Sequence, residues 1–527
     1  MANLPSFENF LEQTSMINLS LSDLQLSDFK KLVFDKEPLQ IDTKVSQRVN
    51  ESYAFLKDFS KGKIIYGINT GFGPMAQYKI EDTEQQQLQY NLIRSHASGS
   101  GNRLSADCVK ASMIARLNTL SLGYSGVHES AINVLKDLIN KDVTPVIFEH
   151  GGVGASGDLV QLAHLGLVMI GEGEVEYQGK IRPTSEVFTE LDIKPMQIAL
   201  REGLAVMNGT SVMTGIGIIN SIYAKRAIEW STMATIMLCE LVDAYDDYFS
   251  SELNNSKKHK GQQKIAKAIK QHLDESQYIQ KREQQLYESE VEETVFSNKV
   301  QEYYSIRCVP QISGIILETI DQCQQLLMEE VNSANDNPIV DVKSKNVYHG
   351  GNFHGDYVSF EMDKLKIALT KLSMLSERQL NFLMNPKLNE ILPPFVNLGK
   401  LGFNFGMQGV QFTATSTTAE NQMLSNPMYI HSIPNNNDNQ DIVSMGANAA
   451  LITKKVVENT FEVLVIEIIS LVQALELLKK TSGLSNASKS TYESIRKLVP
   501  AFSEDYPIYK DLKKVKDYMM SHSPLKV

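Results

Sequence analysis

Residues 456–472 restrict the possible folds of this chain more than any other stretch. They lie inside a longer helical pattern, residues 441–480, and are apolar almost all the way round the helix. A helix without a polar face does not suit a protein surface, so it belongs in the middle of a helical bundle. The most apolar window, residues 461–472, is interrupted by Glu462 and Glu467 and is too short and too charged to span a bilayer. The sequence therefore predicts a helix surrounded by other helices.

Two further segments carry a helical pattern. Residues 209–247 form one long candidate, and after Pro310 apolar residues recur in steps of four and three. Such steps place the side chains in one stripe on a helix. The stripe consists of Ile312, Ile316, Ile320, Cys323, Leu327 and Val331. Strand-like alternation is confined to residues 63–68 and 174–182, so a mainly α protein is predicted.

The predicted organisation along the chain has two parts. A smaller mixed N-terminal region covers residues 1–200, and a bundle of long helices with the C-terminal helices covers residues 201–527. Residues 256–294 are rich in Lys, Gln and Glu, which favours a solvated helical arm without chemistry of its own.

Charge and cysteine content narrow the functional class. The net charge is −11, which disfavours nucleic acid or an anionic membrane as a partner. The four cysteines form no CxxC pair and are too few for a disulfide framework, so a reducing compartment fits. No basic stretch followed by an apolar core stands at the N-terminus, so no signal peptide is expected. We expect a cytoplasmic enzyme.

The glycine-rich segment GGVGASGD, residues 151–158, is open to three interpretations. It precedes a helical pattern that begins near Asp158, so Ser156 or Asp158 could cap that helix. A phosphate-binding loop at a helix N-terminus is a second interpretation, but neither GxGxxG nor GxxxxGK[ST] is present. The third interpretation is a chemical modification of the tripeptide Ala155-Ser156-Gly157.

In that tripeptide the amide nitrogen of Gly157 can attack the carbonyl carbon of Ala155 when the backbone bends tightly. Loss of water closes a five-membered ring, and loss of the Ser156 hydroxyl leaves an exocyclic methylidene. Gly157 has no Cβ to block the attack, and Ala155 is small enough for the bend. The product, 4-methylidene-imidazol-5-one, is a stronger electrophile than any ordinary side chain. Ala-Ser-Gly alone is common, so the flanking sequence must decide.

The residues that flank the tripeptide resemble those of a known family. GGVGASGDLVQLAH closely resembles the signature of the histidine, phenylalanine and tyrosine ammonia-lyases. Six more motifs match in the family's order: IIYGINTGFGPM (64–75), MNGTSVMTG (207–215), QEYYSIRCVPQ (301–311), NSANDNPIVD (332–341), HGGNFHGD (349–356) and NNNDNQDIVSMG (435–446). The resemblance covers about residues 42–478. It implies a carbon–nitrogen lyase of fumarase/aspartase-like, mainly α architecture that forms the electrophile autocatalytically and acts on a small aromatic amino acid. It also implies a homotetramer whose active sites each draw on three subunits.

The resemblance also implies roles for individual residues. Tyr66 matches the catalytic tyrosine that takes the β-proton; a phenol ionises near pH 10 in water, so the site must favour the phenolate. Arg307 matches the arginine that binds the substrate carboxylate, for which a guanidinium fork is suited. Asn337 matches an asparagine on the same carboxylate, although an Asn-Asp-Asn-Pro turn alone would explain it.

The remaining matches surround the electrophile and the substrate. Asn208 and Tyr304 would bond the ring or assist its formation, and Gln301 would lie near the amine. The other implied substrate contacts are Gly73, Ser95, His96, Phe353, Asn436, Asn439 and Gln440. His349 and His354 suggest a metal site, but no carboxylate or thiolate completes a familiar ligand spacing, so no metal is expected.

Two pairs of residues bear on the substrate, and they disagree. Ser95-His96 is the pair of histidine ammonia-lyases, whereas phenylalanine enzymes tend to have Phe-Leu and a familiar bacterial tyrosine enzyme has His-Leu. At residues 439–440 the histidine enzymes carry Gln-Glu, whose carboxylate pairs with the imidazole. Gln440 is neutral and cannot make that charge-assisted bond.

A tyrosine substrate reconciles the two pairs. His96 can bond a para-hydroxyl, whereas a bare phenyl ring would leave it unpaired at a cost of about 1–3 kcal/mol. The resemblance is strongest to a subgroup of bacterial tyrosine ammonia-lyases. We therefore expect L-tyrosine to be converted to trans-p-coumarate and ammonia. The alternatives are a histidine ammonia-lyase, a phenylalanine or mixed aromatic ammonia-lyase, and an aminomutase.

Overall fold

The computed structural model describes residues 16–288, 294–296 and 299–527. The expectation of no signal peptide rests partly on residues 1–15, which lie outside the described residues. Within the described residues the helices are α1 (Leu26–Val33), α2 (Thr43–Phe59), α3 (Gln85–His96), α4 (Ala106–Ser121), α5 (Ser130–Asn140), α6 (Leu159–Met169), α7 (Thr184–Leu191), α8 (Glu202–Met207), α9 (Ser211–Leu241), α10 (Ser251–Asn255), α11 (Lys260–Leu273), α12 (Tyr304–Arg307), α13 (Val309–Val331), α14 (Asp356–Met384), α15 (Pro386–Asn389), α16 (Gln408–Leu424), α17 (Gly446–Leu477), α18 (Asn486–Leu498) and α19 (Tyr509–Ser521). The predicted mainly α fold is confirmed.

The described strands are short and form four small sheets. They are β1 (Ile17–Leu19), β2 (Leu39–Ile41), β3 (Ser100–Arg103), β4 (Thr144–Pro145), β5 (Phe148–His150), β6 (Glu174–Tyr177), β7 (Lys180–Pro183), β8 (Ile339–Asp341) and β9 (Asn346–Tyr348). β1 pairs with β2 in parallel, and the pairs β3–β5, β4–β6, β6–β7 and β8–β9 are antiparallel.

Two compact units make up the described chain. Unit 1 is Met1–Ile219, Leu327–Ser359 and Tyr429–Asn448, and unit 2 is Asn220–Leu326, Phe360–Met428 and Ala449–Val527. All the described strands belong to unit 1. The division into residues 1–200 and 201–527 remains a prediction.

Unit 1 holds together three helices that frame the candidate site. α6 packs against both α3 and α8, and α3 packs against α8. Each of these helices adjoins a sequence-predicted site segment: α3 ends at His96, α6 begins two residues after Gly157, and α8 ends at Met207, just before Asn208. Beside them α4 is buried almost all round and packs against α1, α2 and α5.

The two strand predictions have different outcomes. Residues 174–182 are strand, as predicted, but they form two strands, β6 and β7, that pair as a hairpin. The prediction for residues 63–68 is wrong, because this segment turns back on itself. The Asn69 side chain accepts from the Ile65 N–H at 2.9 Å and donates to the Lys63 carbonyl at 2.7 Å. Such local bonds offer the backbone an alternative to strand pairing, while Ile65 and Ile68 bury in a core cluster with Leu56.

The helical predictions are confirmed in their main features. α9 lies within residues 209–247, and α13 carries the stripe after Pro310 with all six residues inside it. Within the predicted arm, α11 exposes Lys264 and Lys267 but buries Ile265 and Ile269. The arm is therefore solvated on one face only, and its residues 289–293 lie outside the described residues.

Unit 2 contains the residues of α17 that the sequence placed inside a bundle. Val463, Leu464 and Ile466 are buried, and so is the carboxyl group of Glu467. Glu467 accepts a hydrogen bond from the Ser376 hydroxyl. Burial raises the pKa of Glu467 from its ordinary 4.5 to about 8, because a low-dielectric surrounding disfavours the charged form.

The buried carboxyl group of Glu467 predicts a pH dependence of stability. Because its pKa is raised on folding, its contribution to stability is complete below about pH 4.5 and is lost as the pH rises through about 8. Glu467→Gln keeps the shape but does not ionise. We expect the thermal midpoint of this variant relative to wild type to increase between pH 5 and pH 8. Glu462→Gln, on the same helix with a partly exposed side chain, serves as the matched control, and the same trend in both variants would contradict the assignment.

Candidate active site

The loop that carries Ala155-Ser156-Gly157 is tightly bent against residues 208–209. Gly154 has φ +77° and Gly157 has φ +73°. A Cβ built on Gly157 would lie 1.9 Å from the Gly209 carbonyl oxygen, so no other residue fits there. The Asp158 N–H donates to the Gly209 carbonyl at 2.8 Å, and the Gly209 N–H donates to the Ser156 carbonyl at 3.3 Å. The bend and the missing side chain are what ring closure through the Gly157 nitrogen requires.

Asp158 caps a helix, but not the one that follows it. It occupies the N-cap position of α6 without a side-chain bond to that helix. Its carboxylate instead accepts from the N–H groups of Val212 and Met213, at 2.8 and 2.9 Å, in the first turn of α9. Burial raises the pKa of Asp158 to about 7. The tripeptide is thus followed by a residue that ties its loop to the start of α9.

A second segment, residues 440–446, runs alongside the loop and is called the strap. The Gln440 Nε2 amide donates to the Ser156 hydroxyl at 2.8 Å. The Ser444 hydroxyl donates to the Gly154 carbonyl at 3.1 Å, and the Met445 N–H donates to the Val153 carbonyl at 3.0 Å. The strap is therefore bonded to the loop at three residues and places a neutral amide on Ser156.

Asn208 presents an unsatisfied acceptor in this part of unit 1. Its Nδ2 donates to the Asn337 carbonyl at 3.1 Å, and its own carbonyl accepts twice from the buried guanidinium of Arg116. Its Oδ1 is buried and has no hydrogen-bond partner within the described part of the chain. A buried amide oxygen without a partner is costly, so this atom is available for a group that the bare polypeptide lacks.

A buried ion pair holds the Asn337 segment. Arg201 and Asp336 are both fully buried and pair through two bonds, at 2.9 and 3.0 Å. Arg201 also donates to the Asn337 carbonyl at 2.8 Å, and the Asn337 Oδ1 accepts from the Gly350 N–H at 2.9 Å. Paired and bonded in this way, the two charges set the position of Asn337.

Tyr66 lies half-buried in the turn that replaces the predicted strand. The Gly73 N–H donates to its hydroxyl oxygen at 3.1 Å, and its ring packs edge-on against Phe72. A Cβ on Gly73, which has φ +53°, would lie 2.6 Å from the Asn436 amide nitrogen. The structure thus brings Tyr66, Gly73 and Asn436 together, as the resemblance implies.

Gln89 supports this turn from α3. It is fully buried; its Nε2 donates to the Gly67 carbonyl at 3.1 Å, and its Oε1 accepts from the Leu204 N–H of α8 at 3.0 Å. Seven residues separate Gln89 from His96, which is close to two helical turns, so both lie on one face of α3. One face of α3 therefore carries both Gln89, which supports the Tyr66 turn, and His96, the residue predicted to select the substrate ring.

His96 is held at the end of α3 by one ring nitrogen. Its Nδ1 lies 2.9 Å from the Leu92 carbonyl and 3.0 Å from the Ser95 hydroxyl. A carbonyl can only accept, so Nδ1 carries a proton, and in the neutral ring Nε2 is then the acceptor. The Ser95 hydroxyl itself donates to the Leu92 carbonyl.

Phe353 and Asn439 complete the predicted residues of unit 1. Phe353 is half-buried just before α14, and its neighbour His354 places Nε2 3.3 Å from the Ile442 carbonyl of the strap. Asn439 is exposed, and its N–H donates to the Asn436 carbonyl at 3.2 Å. Among the described residues no group of three or more His, Cys, Asp or Glu side chains could hold a metal ion.

Three predicted residues belong to unit 2 and line a cavity of about 820 Å³ there: Gln301, Tyr304 and Arg307. Arg307 donates from Nε to the Glu302 carbonyl at 2.9 Å, and its guanidinium lies 4.7 Å from the centre of the Tyr304 ring. Tyr304 is 69% exposed in the single chain. Arg378, Asn381 and Glu302 also line this cavity, and Arg378 is paired with Glu377.

Sequence reasoning did not find several supporting residues. Asp336 lies within the motif NSANDNPIVD, and an acidic side chain between two asparagines could have indicated a supporting role. No local sequence pattern marks Gln89, Arg116 or Arg201 as supporting residues, because each side chain donates to a backbone carbonyl that is distant in the chain. Their burial as polar groups is visible only once the chain is folded.

No helix within the described residues is long and apolar enough to cross a membrane. A family model described as "Aromatic amino acid lyase" matches residues 24–497. The chain is 37% identical over 495 residues to a tyrosine 2,3-aminomutase from Myxococcus sp. (strain Mx-B0), covering 92% of this chain and 94% of that protein. It is 36% identical over 505 residues to a probable histidine ammonia-lyase from Thermoplasma volcanium, covering 96% and 98%. The crystal structure of a tyrosine aminomutase from Streptomyces globisporus matches with a TM-score of 0.92 at 32% identity, covering 96% and 97%.

Proposed function

This chain belongs to the aromatic amino acid lyase family, and on that premise we propose that it eliminates ammonia from L-tyrosine to give trans-p-coumarate. The single observation that carries the proposal is the 2.8 Å bond between Gln440 and Ser156. It places a neutral amide at the reactive tripeptide. A carboxylate, which would favour an imidazole substrate, is absent from this position.

The electrophile is a methylidene-imidazolone formed from Ala155, Ser156 and Gly157. The residues present fit it, because the loop is bent at Gly157, no side chain could occupy the place of the missing Cβ, and the buried Asn208 Oδ1 has no bonding partner among the described residues. Once formed, the group supplies an electrophilic carbon to the substrate amine. Asn208 and the strap are the residues that would hold it.

Tyr66 is the base that removes the β-proton. It must act as the phenolate, and a backbone N–H directed at the phenol oxygen stabilises negative charge there. Gly73 provides that donor at 3.1 Å. Gln89 holds the turn through the Gly67 carbonyl and is itself held by the Leu204 N–H, so the position of the oxygen is set before substrate binds.

The substrate ring is selected by His96 and Gln440 together. With Nδ1 engaged by the Leu92 carbonyl, the His96 Nε2 is an acceptor for the para-hydroxyl proton of tyrosine. Phenylalanine would leave this nitrogen unpaired, at about 1–3 kcal/mol. Histidine would find no charged partner at Gln440. Tyrosine is the substrate that satisfies both residues.

The carboxylate of the substrate is bound by Arg307, with Gln301 and Tyr304 beside it.

In the family an active site draws on three subunits, and we propose a homotetramer of this kind here. The exposure of Phe403, Phe405 and Phe412, each above 60% in the single chain, supports coverage by other copies, since a lone chain seldom exposes so many large apolar groups. Light scattering should give four copies per particle; a stable monomer would contradict the proposal.

Replacing His96 should change the preference between substrates. We expect His96→Phe to lower the ratio of kcat/KM for tyrosine over phenylalanine by about 5-fold to 150-fold, the equivalent of one unpaired buried group. The conservative variant His96→Asn serves as comparison, because it keeps a hydrogen-bonding side chain. An unchanged ratio in His96→Phe would show that His96 is not the partner of the hydroxyl.

A tyrosine 2,3-aminomutase is the second candidate, and the similarity to the Myxococcus enzyme supports it. Both candidates begin by eliminating ammonia from tyrosine; the aminomutase then adds it back at the β-carbon. Separate incubation with L-tyrosine, L-phenylalanine and L-histidine, followed by mass spectrometry of the products, tests the proposal. We expect p-coumarate from tyrosine as the main product. Mainly β-tyrosine would establish the aminomutase, and urocanate as the main product would overturn the substrate assignment.

A further inference from the structure

We propose that Gln440 assists the formation of the electrophile, by donating a hydrogen bond to the hydroxyl group that Ser156 loses. The inference rests on the proposed function, because it concerns the group that the proposed chemistry requires. It gives Gln440 a role in the unmodified chain, before any substrate is present.

The geometry points to this role because the Gln440 side-chain amide lies directly against the Ser156 hydroxyl. The Gln440 Nε2–H donates to the Ser156 Oγ at 2.8 Å. The backbone of Gln440 is held by two bonds to Asn435, at 3.2 and 3.3 Å. On the other side of Gln440, Ser444 and Met445 fasten the strap to the carbonyls of Gly154 and Val153. Gln440 is therefore anchored on both sides, and its donor meets Ser156 at the atom that leaves.

Maturation of the tripeptide loses two molecules of water. The first comes from ring closure: the Gly157 nitrogen bonds to the Ala155 carbonyl carbon, whose oxygen leaves with the amide protons of Ser156 and Gly157. The second comes from Ser156: its Cα–H and Cβ–Oγ bonds break, a double bond forms between Cα and Cβ, the proton passes to solvent and Oγ departs as hydroxide.

Hydroxide is a poor leaving group, and this is the step that Gln440 would accelerate. Negative charge develops on Oγ as the Cβ–Oγ bond breaks. A pre-positioned N–H donor stabilises developing charge without reorganisation. Once Oγ has gone, the Gln440 amide has lost its partner and is free to face the substrate. One side chain can thus serve maturation first and substrate recognition afterwards.

Time-resolved mass spectrometry of newly made chains tests the inference. The full chain is synthesised in a cell-free translation reaction, quenched at intervals and digested, and the mass of the peptide containing residues 155–157 is measured. Gln440→Leu removes the donor. We expect a peptide lighter by one water to accumulate, and its conversion to the form lighter by two waters to slow by roughly 10-fold to 100-fold.

Asp441→Asn is the matched control, since Asp441 is the exposed neighbour of Gln440, and it should mature at the wild-type rate. Maturation of Gln440→Leu at the wild-type rate would overturn the inference. So would a Gln440→Leu chain that loses no water at all, because that result indicates a purely structural role. A wild-type chain that keeps its full mass would instead overturn the proposed function, and the inference with it.

Discussion

Ser156→Ala should lower kcat for tyrosine by about three orders of magnitude or more. Without the Ser156 hydroxyl no second water can leave, so the electrophile does not form, and losses of this size are typical when a covalent catalytic group is removed. The change is small structurally, because within the described residues the hydroxyl makes one hydrogen bond, which it accepts from Gln440. The thermal midpoint should stay close to that of wild type. Formation of p-coumarate from tyrosine is measured by absorbance.

The control for this variant is Ser185→Ala, which replaces an exposed serine on α7. Its activity should match that of wild type. A Ser156→Ala enzyme that is folded and retains activity within tenfold of wild type would refute the assignment of the tripeptide.

Tyr66→Phe should lower kcat by about 10²-fold to 10⁴-fold, the range for loss of a positioned general base. The variant keeps the ring that packs against Phe72 and loses only the oxygen that accepts from the Gly73 N–H. Maturation does not use this oxygen, so the chain should still lose two molecules of water. Complete maturation together with low activity would show that Tyr66 is needed for catalysis and not for formation of the electrophile.

Tyr78→Phe provides the comparison for that experiment, because Tyr78 lies in the same segment and is 70% exposed. Its kcat should be unchanged. The base assignment would fail if Tyr66→Phe turned over tyrosine as fast as Tyr78→Phe.

The long helices could be predicted from the sequence because their evidence is local. The stripe from Ile312 to Val331 and the apolar run in α17 each follow from periodicity alone, and both appear as single helices. The failure at residues 63–68 has a local cause as well. Asn69, immediately after the segment, closes the turn with its side chain, and an alternating pattern does not register such a bond.

The sequence indicates candidate reactive residues for the site but does not indicate the residues that support them. Tyr66, Asn208 and the tripeptide lie in recognisable motifs, whereas Gln89 and Arg201 act on backbone atoms far along the chain. Asp158 illustrates the difference: the sequence indicated a cap for α6, and the fold uses its carboxylate on α9. Contacts of this kind depend on how helices pack, which periodicity does not specify.

The central claim is that this chain converts Ala155-Ser156-Gly157 into an electrophile. The mass of the purified wild-type chain, measured intact and again on the peptide that contains the tripeptide, tests it most directly. The prediction is a chain lighter than its sequence by two molecules of water, with the whole loss located in residues 155–157 and absent from Ser156→Ala. A wild-type peptide with the unmodified mass would contradict the account.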